Sequence, residues 1–222
     1  MTQIKDIYKI AVLLFFFSFF SCKNAETVED LDGNIYHTTK IGKQTWMMEN
    51  LKVTRFNNGD SIKKIVSNKD WKKTEQAGYS FYNNDVAFVK EYGFLYNYNC
   101  LKDIRRIAPK GWRIPTEEDL RELESFINSN SIGIFLKEKG NSHWLPSNTV
   151  GNNATGFNAL PGGYRDDEGA FYMLRSNGYY WTTNGSFEFY NWSDRMFQAF
   201  ADVRRDSVFK RYGFSIKCIK EE

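Results

Sequence analysis

The sequence predicts an α+β domain of short antiparallel strands with one or two helices and long irregular loops. Aromatic residues form 17% of the chain and Pro occurs only 4 times in 222 residues, a composition suited to short strands closed by Gly and Asn turns. Helical periodicity is clear at one place only, directly after Pro115. Between Gly140 and Gly163 the chain is dense in Asn, Gly and Ser and follows neither period. A loop of that length inside a domain is either functional or an element left unread.

At the N-terminus, Lys5 and Lys9 precede an apolar run from Ile10 to Phe20 broken only by Ser18. The run is too short to span a hydrocarbon core of ~30 Å as a helix. A charged start followed by such a run is the pattern of a secretory signal peptide, here residues 1–21. Ser21 and Cys22 then resemble a bacterial lipobox, with Phe19 where Leu is commonest. Cleavage there makes Cys22 the new N-terminus, and acylation anchors it in a membrane, since each buried CH₂ adds about 0.8 kcal/mol. The resemblance implies a lipid-anchored protein of the outer membrane or cell surface. Residues 22–32 read as the lipidated cysteine and a flexible tether, because four carboxylates and few apolar groups cannot offset the entropy of ordering. An acidic stretch so placed also resembles the surface-export signals of some Gram-negative lipoproteins. The folded domain is predicted over 33–222.

Removing residues 1–21 takes Lys5, Lys9 and Asp6 from 30 Lys+Arg and 27 Asp+Glu, leaving a net charge of +2. The basic residues are scattered pairs such as Lys63-Lys64 and Arg204-Arg205. No stripe of the kind that binds nucleic acid is formed.

Along the domain, Ile35 to Ile41, a Gly42-Lys43 turn and Gln44 to Met47 predict a hairpin. Residues 92–97 read as an aromatic strand or the entry to a short helix, and 78–83 echo them. Thr116 is the expected N-cap of a helix over about 117–128, with Asp119 in capping-box position. Glu117, Glu118 and Asp119 put negative charge at its positive end. Leu120, Leu123 and Ile127 share one face, with Phe126 beside them. Gly111 allows a tight turn before Trp112, and Trp112 and Ile114 alternate with Arg113 as core with surface. Strands follow over 178–183, 196–200 and 212–219. In the last, Phe214, Ile216 and Cys218 oppose Ser215 and Lys217, the mark of a half-buried antiparallel strand.

Six ordered segments then converge: 32–36 (DGNIY), 41–52 (IGKQTWMMENLK), 92–97 (YGFLYN), 108–116 (APKGWRIPT), 153–165 (NATGFNALPGGYR) and 180–183 (YWTT). Together they resemble the Fibrobacter succinogenes major paralogous domain, a family of secreted or lipid-anchored bacterial domains. The resemblance implies a fold similar to C-type lectins and no established catalytic activity. Cys100 departs from it, standing where the family more usually has a small residue. Trp46, Trp112, Arg113, Pro115, Thr116, Gly162, Gly163 and Trp181 are the signature positions and read as structural, the tryptophans as core and the two glycines as a turn needing positive φ.

No constellation of catalytic, cofactor or metal-binding residues emerges. His37 and His143 are the only histidines and have no metal-ligand spacing. Asp166 and Asp167 read as a solvated turn. Cys100 and Cys218 either form a disulfide or remain buried thiols. Calcium-dependent sugar binding is disfavoured, since neither Glu-Pro-Asn nor Gln-Pro-Asp occurs and Asn191-Trp192-Ser193-Asp194 only echoes the lectin strand. The expected function is a non-catalytic surface module binding a polysaccharide or surface protein, with exposed aromatics of the 140–200 region stacking on sugar. Two alternatives stand beside it. Residues 112–118 resemble a segment of the formylglycine-generating enzyme family, whose chemistry needs two close reactive cysteines, and a structural cell-envelope component is the other.

Overall fold

A computed structural model of the chain describes residues 26–146, 150–183, 190–197 and 203–222, with backbone alone at 190–197 and 203–208. The predicted signal peptide and Cys22 lie outside the described residues. In chain order the strands are β1 (Thr27–Glu29), β2 (Ile35–Ile41), β3 (Gln44–Met47), β4 (Lys63–Lys64), β5 (Gly78–Ser80), β6 (Leu95–Tyr96), β7 (Trp112–Arg113), β8 (Gly162–Arg165), β9 (Phe171–Leu174), β10 (Asn177–Trp181), β11 (Tyr190–Phe197), β12 (Val203–Phe209) and β13 (Ile219–Lys220). The helices are α1 (Asn68–Lys73), α2 (Val89–Tyr92), α3 (Tyr98–Lys102), α4 (Glu117–Ile127) and α5 (Ile132–Leu136), with 3-10 turns at Tyr82–Asn84 and Val86–Phe88.

The α+β class holds, in a more mixed form than expected. The sheets run β1-β2-β3-β13-β7, β12-β11-β10-β8-β9 and β4-β5-β6. Two of their pairings, β10 with β8 and β4 with β5, are parallel. Instead of one or two helices there are five among the described residues, because all but α4 are too short to show a period of 3.6 in sequence.

The tether predicted through Asp32 is also shorter than expected. Val28 pairs with Tyr36 in the β1–β2 ladder. The buried Asp30 accepts hydrogen bonds from the backbone N–H of Asp32 and Asn34, from the Asn34 amide and, at 2.6 Å, from the Tyr36 hydroxyl. A carboxylate saturated with donors holds a turn that composition alone reads as solvated.

The predicted hairpin is β2–β3, with Thr39 opposite Trp46. Gly42 turns it at φ 61°, and a Cβ there would meet the Phe126 ring at 2.9 Å. Phe126 of α4 thus packs over the turn although it is exposed, while Leu120 and Leu123 enter the core and Ile127 packs against it. Asn128, in the left-handed region at φ 46°, ends α4 as its C-cap.

Residues 213–220 stitch the three sheets together. Gly213 bridges Arg165 of β8, Phe214 bridges Tyr96 of β6 and Ser215 bridges Tyr180 of β10. Ile219 then pairs with both Trp46 of β3 and Arg113 of β7. A segment with neighbours on every side buries both faces, so every residue from Gly213 to Ile219 is buried. The expected half-burial is therefore corrected: Ser215 and Lys217 are each 2% exposed.

Two hydrophobic clusters result. The larger centres on Trp181, Phe214, Tyr96, Ile216 and Trp112. The smaller packs Trp46, Leu120, Leu123, Trp144 and Phe157 between α4 and the long loop. The Asn-rich loop after Gly140 is folded on itself. Asn153 Oδ1 accepts from Asn158 N at 2.8 Å and Asn152 Oδ1 from Ala154 N at 2.9 Å, while Trp144 and Phe157 plug the loop into the core.

Candidate functional site

The signature segment before α4 builds structure. Trp112 and Ile114 are buried, and Gly111 sits at φ 81° in the turn closed by the hydrogen bond from Trp112 N to Pro109 O. Arg113, expected at the surface, forks onto Asp119 at 2.5 and 2.7 Å. Asp119 also accepts from the Thr116 backbone at 2.6 Å, while Thr116 Oγ1 accepts from Asp119 N at 3.2 Å, completing the capping box. Burial works to raise the Asp119 pKa, but the hydrogen bonds from Arg113 and Thr116 outweigh it and hold the carboxyl below its ordinary value.

Asp119→Asn is expected to cost about 2 kcal/mol in urea denaturation at neutral pH, since it removes charge-assisted bonds. A carboxyl with a depressed pKa stabilises the fold above its unfolded pKa and loses that contribution as pH falls through the folded value. The gap between variant and wild type should therefore close in strong acid. A gap that persisted there would assign the effect to shape and not to charge.

Cys100 and Cys218 are free, which corrects the disulfide alternative. Both lie in the larger core cluster, and Cys100 Sγ donates to Gly78 O at 3.3 Å and Asn97 Oδ1 at 3.5 Å. Burial raises the Cys100 pKa and pushes Cys218 up to about 12. Neither thiol is a thiolate near neutral pH, and the thiolate is the reactive form.

The histidines are occupied as well. His37 Nδ1 contacts Glu49 at 2.8 Å, and His143 Nδ1 contacts Glu138 at 2.7 Å with Nε2 3.4 Å from Glu91. No group of three His, Cys, Asp or Glu among the described residues is placed to hold a metal ion. Asn191 to Asp194 lie on β11, where backbone alone is described.

Gly162 and Gly163 open β8 and do not form a turn. Gly163 is at φ 64°, where a Cβ would strike Tyr172 O at 2.3 Å; Gly162 instead sits close beneath Ser215 and Tyr92. Trp46 and Trp181 are fully buried, as expected. An apolar cleft between α4 and β10, lined by Trp46, Leu123, Phe157, Trp181 and Lys217, encloses about 20 Å³, room for about one water and no larger ligand.

Apart from Phe126 of α4, a row of outward-facing aromatics lies on β8, β9 and around the turn after β12. Tyr164 pairs across the strands with Tyr172 at a ring separation of 5.5 Å. Tyr212 stacks 5.7 Å beyond Tyr164 with planes 15° apart, and Phe209 follows at 6.0 Å. The ends of this row are exposed, Tyr172 at 43% and Phe209 at 39%, while Tyr164 and Tyr212 are half-buried. The hydroxyls of these three tyrosines take no hydrogen-bond partner among the described residues. Burial first, then the neighbouring phenols and Asp166, pushes the Tyr164 hydroxyl up to about 12, so it stays protonated as donor and acceptor.

Beside the row, Met173 holds φ 64° within β9 and is 48% exposed. A non-glycine residue in that region costs free energy and turns a strand's side chains off their regular faces. Asp166, read as a solvated residue, closes the β8–β9 turn by accepting from Ala170 N at 2.8 Å. The row was missed in the sequence because Tyr164 and Tyr212 are remote in the chain. Its one local signal is the Asp166-to-Gly169 turn flanked by aromatic residues.

A model of the Fibrobacter succinogenes major domain matches residues 39–220. No curated protein and no solved structure matches the chain.

Proposed function

The chain belongs to the Fibrobacter succinogenes major domain family, and from that premise we propose that it is a non-catalytic, lipid-anchored cell-surface module that binds glycan on the Tyr172–Tyr164–Tyr212–Phe209 row. The observation that carries this reading is a surface row of rings with exposed ends and unused hydroxyls. Apolar ring faces stack on the C–H faces of sugars while phenol hydroxyls meet their hydroxyl groups, the amphipathic recognition that tyrosine serves well. The buried thiols with raised pKa values and the carboxylate-bound histidines support the absence of catalysis. A C-type lectin-like chain path belongs to the same proposal, as does anchoring through Cys22 at the outer membrane or cell surface.

A glycan array probed with the purified protein tests the site. Tyr172→Ala and Tyr212→Ala are each expected to weaken binding about five- to tenfold, the worth of roughly 1 kcal/mol per ring. Absence of any bound glycan, with or without calcium, overturns the reading. Metabolic labelling of cells with a palmitate analogue tests the anchor: label on the wild type that disappears in Cys22→Ser supports it, and an unlabelled wild type refutes it.

A further inference from the structure

Thr27, the first residue of β1, stands close behind Cys22 in the chain. At full extension the path from Cys22 to Thr27 covers at most about 18 Å, less than half the width of about 40 Å that a domain of this length has. An acylated Cys22 therefore holds the β1 edge of the first sheet against the leaflet that takes its chains. The side chains on that edge determine how it meets lipid.

Three large aliphatic side chains stand out of the fold there. Leu31, in the turn after β1, is 56% exposed, and Ile35, which pairs with Glu29 across the β1–β2 ladder, is 57% exposed. Ile104 is 95% exposed, more than any other large hydrophobic side chain among the described residues. Asn57 ties the turn of Ile104 to that of Leu31. Its backbone N–H donates to Arg105 O at 3.1 Å and Arg106 O at 2.9 Å, and its side chain to Ala108 O at 2.8 Å. With Glu29, Leu31, Pro109 and Lys110 it lines a hollow of about 340 Å³ between the two turns. Charged groups of both signs surround the aliphatics. Asp32 pairs with Arg55, Asp60 and Asp103 with Arg105, Glu221 with Arg106 and Glu26 with Lys220, while Glu29 and Lys110 add one charge of each sign. The side has no basic excess to draw anionic lipid, so its attraction to a bilayer is apolar.

We propose that the turn after β1 and the adjoining turn of Ile104 form the membrane-facing side of the domain, with Leu31, Ile35 and Ile104 lying in the headgroup layer. The proposal rests on the anchor at Cys22 and adds an orientation to it. Apolar side chains on a surface of this kind sink about 5–10 Å into the boundary between headgroups and acyl chains, and here the short lead from Cys22 keeps them within reach.

The test places the purified full protein, with the mass of its Cys22 peptide measured, on phosphatidylcholine vesicles that carry a nitroxide on part of their headgroups. A fluorescent thiol label is introduced through Leu31→Cys, Ile104→Cys or, on the ring row, Tyr172→Cys; Cys100 and Cys218 are buried and do not compete. The labels of Leu31→Cys and Ile104→Cys are expected to be quenched several times more strongly than that of Tyr172→Cys, and added salt should leave this pattern unchanged. Ile35→Asn/Ile104→Asn should about halve the quenching in Leu31→Cys, because insertion follows the apolar area. Unquenched labels in Leu31→Cys and Ile104→Cys on a chain with acylated Cys22 overturn the orientation and leave the anchor standing, whereas a Cys22 without acyl chains overturns both. Equal quenching in Tyr172→Cys, or full quenching that survives Ile35→Asn/Ile104→Asn, also overturns the proposal. Shielding of the labels that needs no nitroxide and grows with protein concentration would assign the patch to a second copy of the chain instead.

Discussion

Arg165→Met is expected to cost about 2–4 kcal/mol of stability, because buried carbonyls lose a charged donor. Arg165 is fully buried and donates to four acceptors: Gly169 O at 3.0 Å, Ile65 O at 2.5 Å, Val66 O at 2.9 Å and Asn68 Oδ1 at 3.1 Å. Its guanidinium lies between Trp71 at 4.4 Å and Phe171 at 4.8 Å. Burial lowers its pKa to about 10, which leaves it charged at neutral pH. Methionine fills much of the volume but takes the arginine donors from the Ile65 and Gly169 carbonyls, while Val66 O keeps Asn84 Nδ2 at 3.1 Å, and each unsatisfied buried acceptor costs about 1–3 kcal/mol. Lysine should rescue little, because one ammonium cannot reproduce the planar fork. The expected reading in urea is a lower midpoint with an unchanged slope. An unchanged midpoint would show that β8 is not what holds the segment from Ile65 to Trp71.

Lys217→Met should act in the opposite direction. Lys217 is 2% exposed, donates to Met48 O at 2.5 Å and has its ammonium 5.0 Å from the Phe157 ring. Burial lowers its pKa to about 7, against smaller raising effects of Glu49 and Cys218. A lysine with a depressed folded pKa penalises the fold fully below that value, and the penalty is relieved as pH rises toward the unfolded pKa of about 10.4. Methionine removes the penalty and sacrifices one hydrogen bond of about 1 kcal/mol. The variant is expected to be more stable than wild type by on the order of 3 kcal/mol at pH 6, the difference shrinking through pH 7 to 10. A difference that does not vary with pH would show that Lys217 does not titrate in the folded protein.

Local order was legible where neighbouring residues carry it. The β2–β3 hairpin follows from a Gly42-Lys43 turn between β-forming runs, and α4 from Thr116, Asp119 and its apolar stripe. Segments of one turn, such as α2 and α3, were not legible, since too few residues repeat to reveal a period. Asp30 and the loop asparagines read as solvated, because composition does not show that a polar side chain has found a backbone partner a few residues away. Of the candidate site, the strands that carry Tyr164 and Tyr172 were not read from the sequence, only the turn at Asp166 between them, and Tyr212 and Phe209 join them through chain crossings.

By itself the sequence determined the family, the α+β class, the capped helix and the burial of Trp46, Trp112 and Trp181, all properties of short stretches. Tertiary structure alone decided that Arg165 and Lys217 are interior, that two cysteines of one core remain apart, and that four rings form a row. The reason is that residues 213–220 pass against all three sheets. Which faces that passage buries and which rings it aligns depend on segments as remote as Trp46 is from Ile219, where no local pattern records the contact.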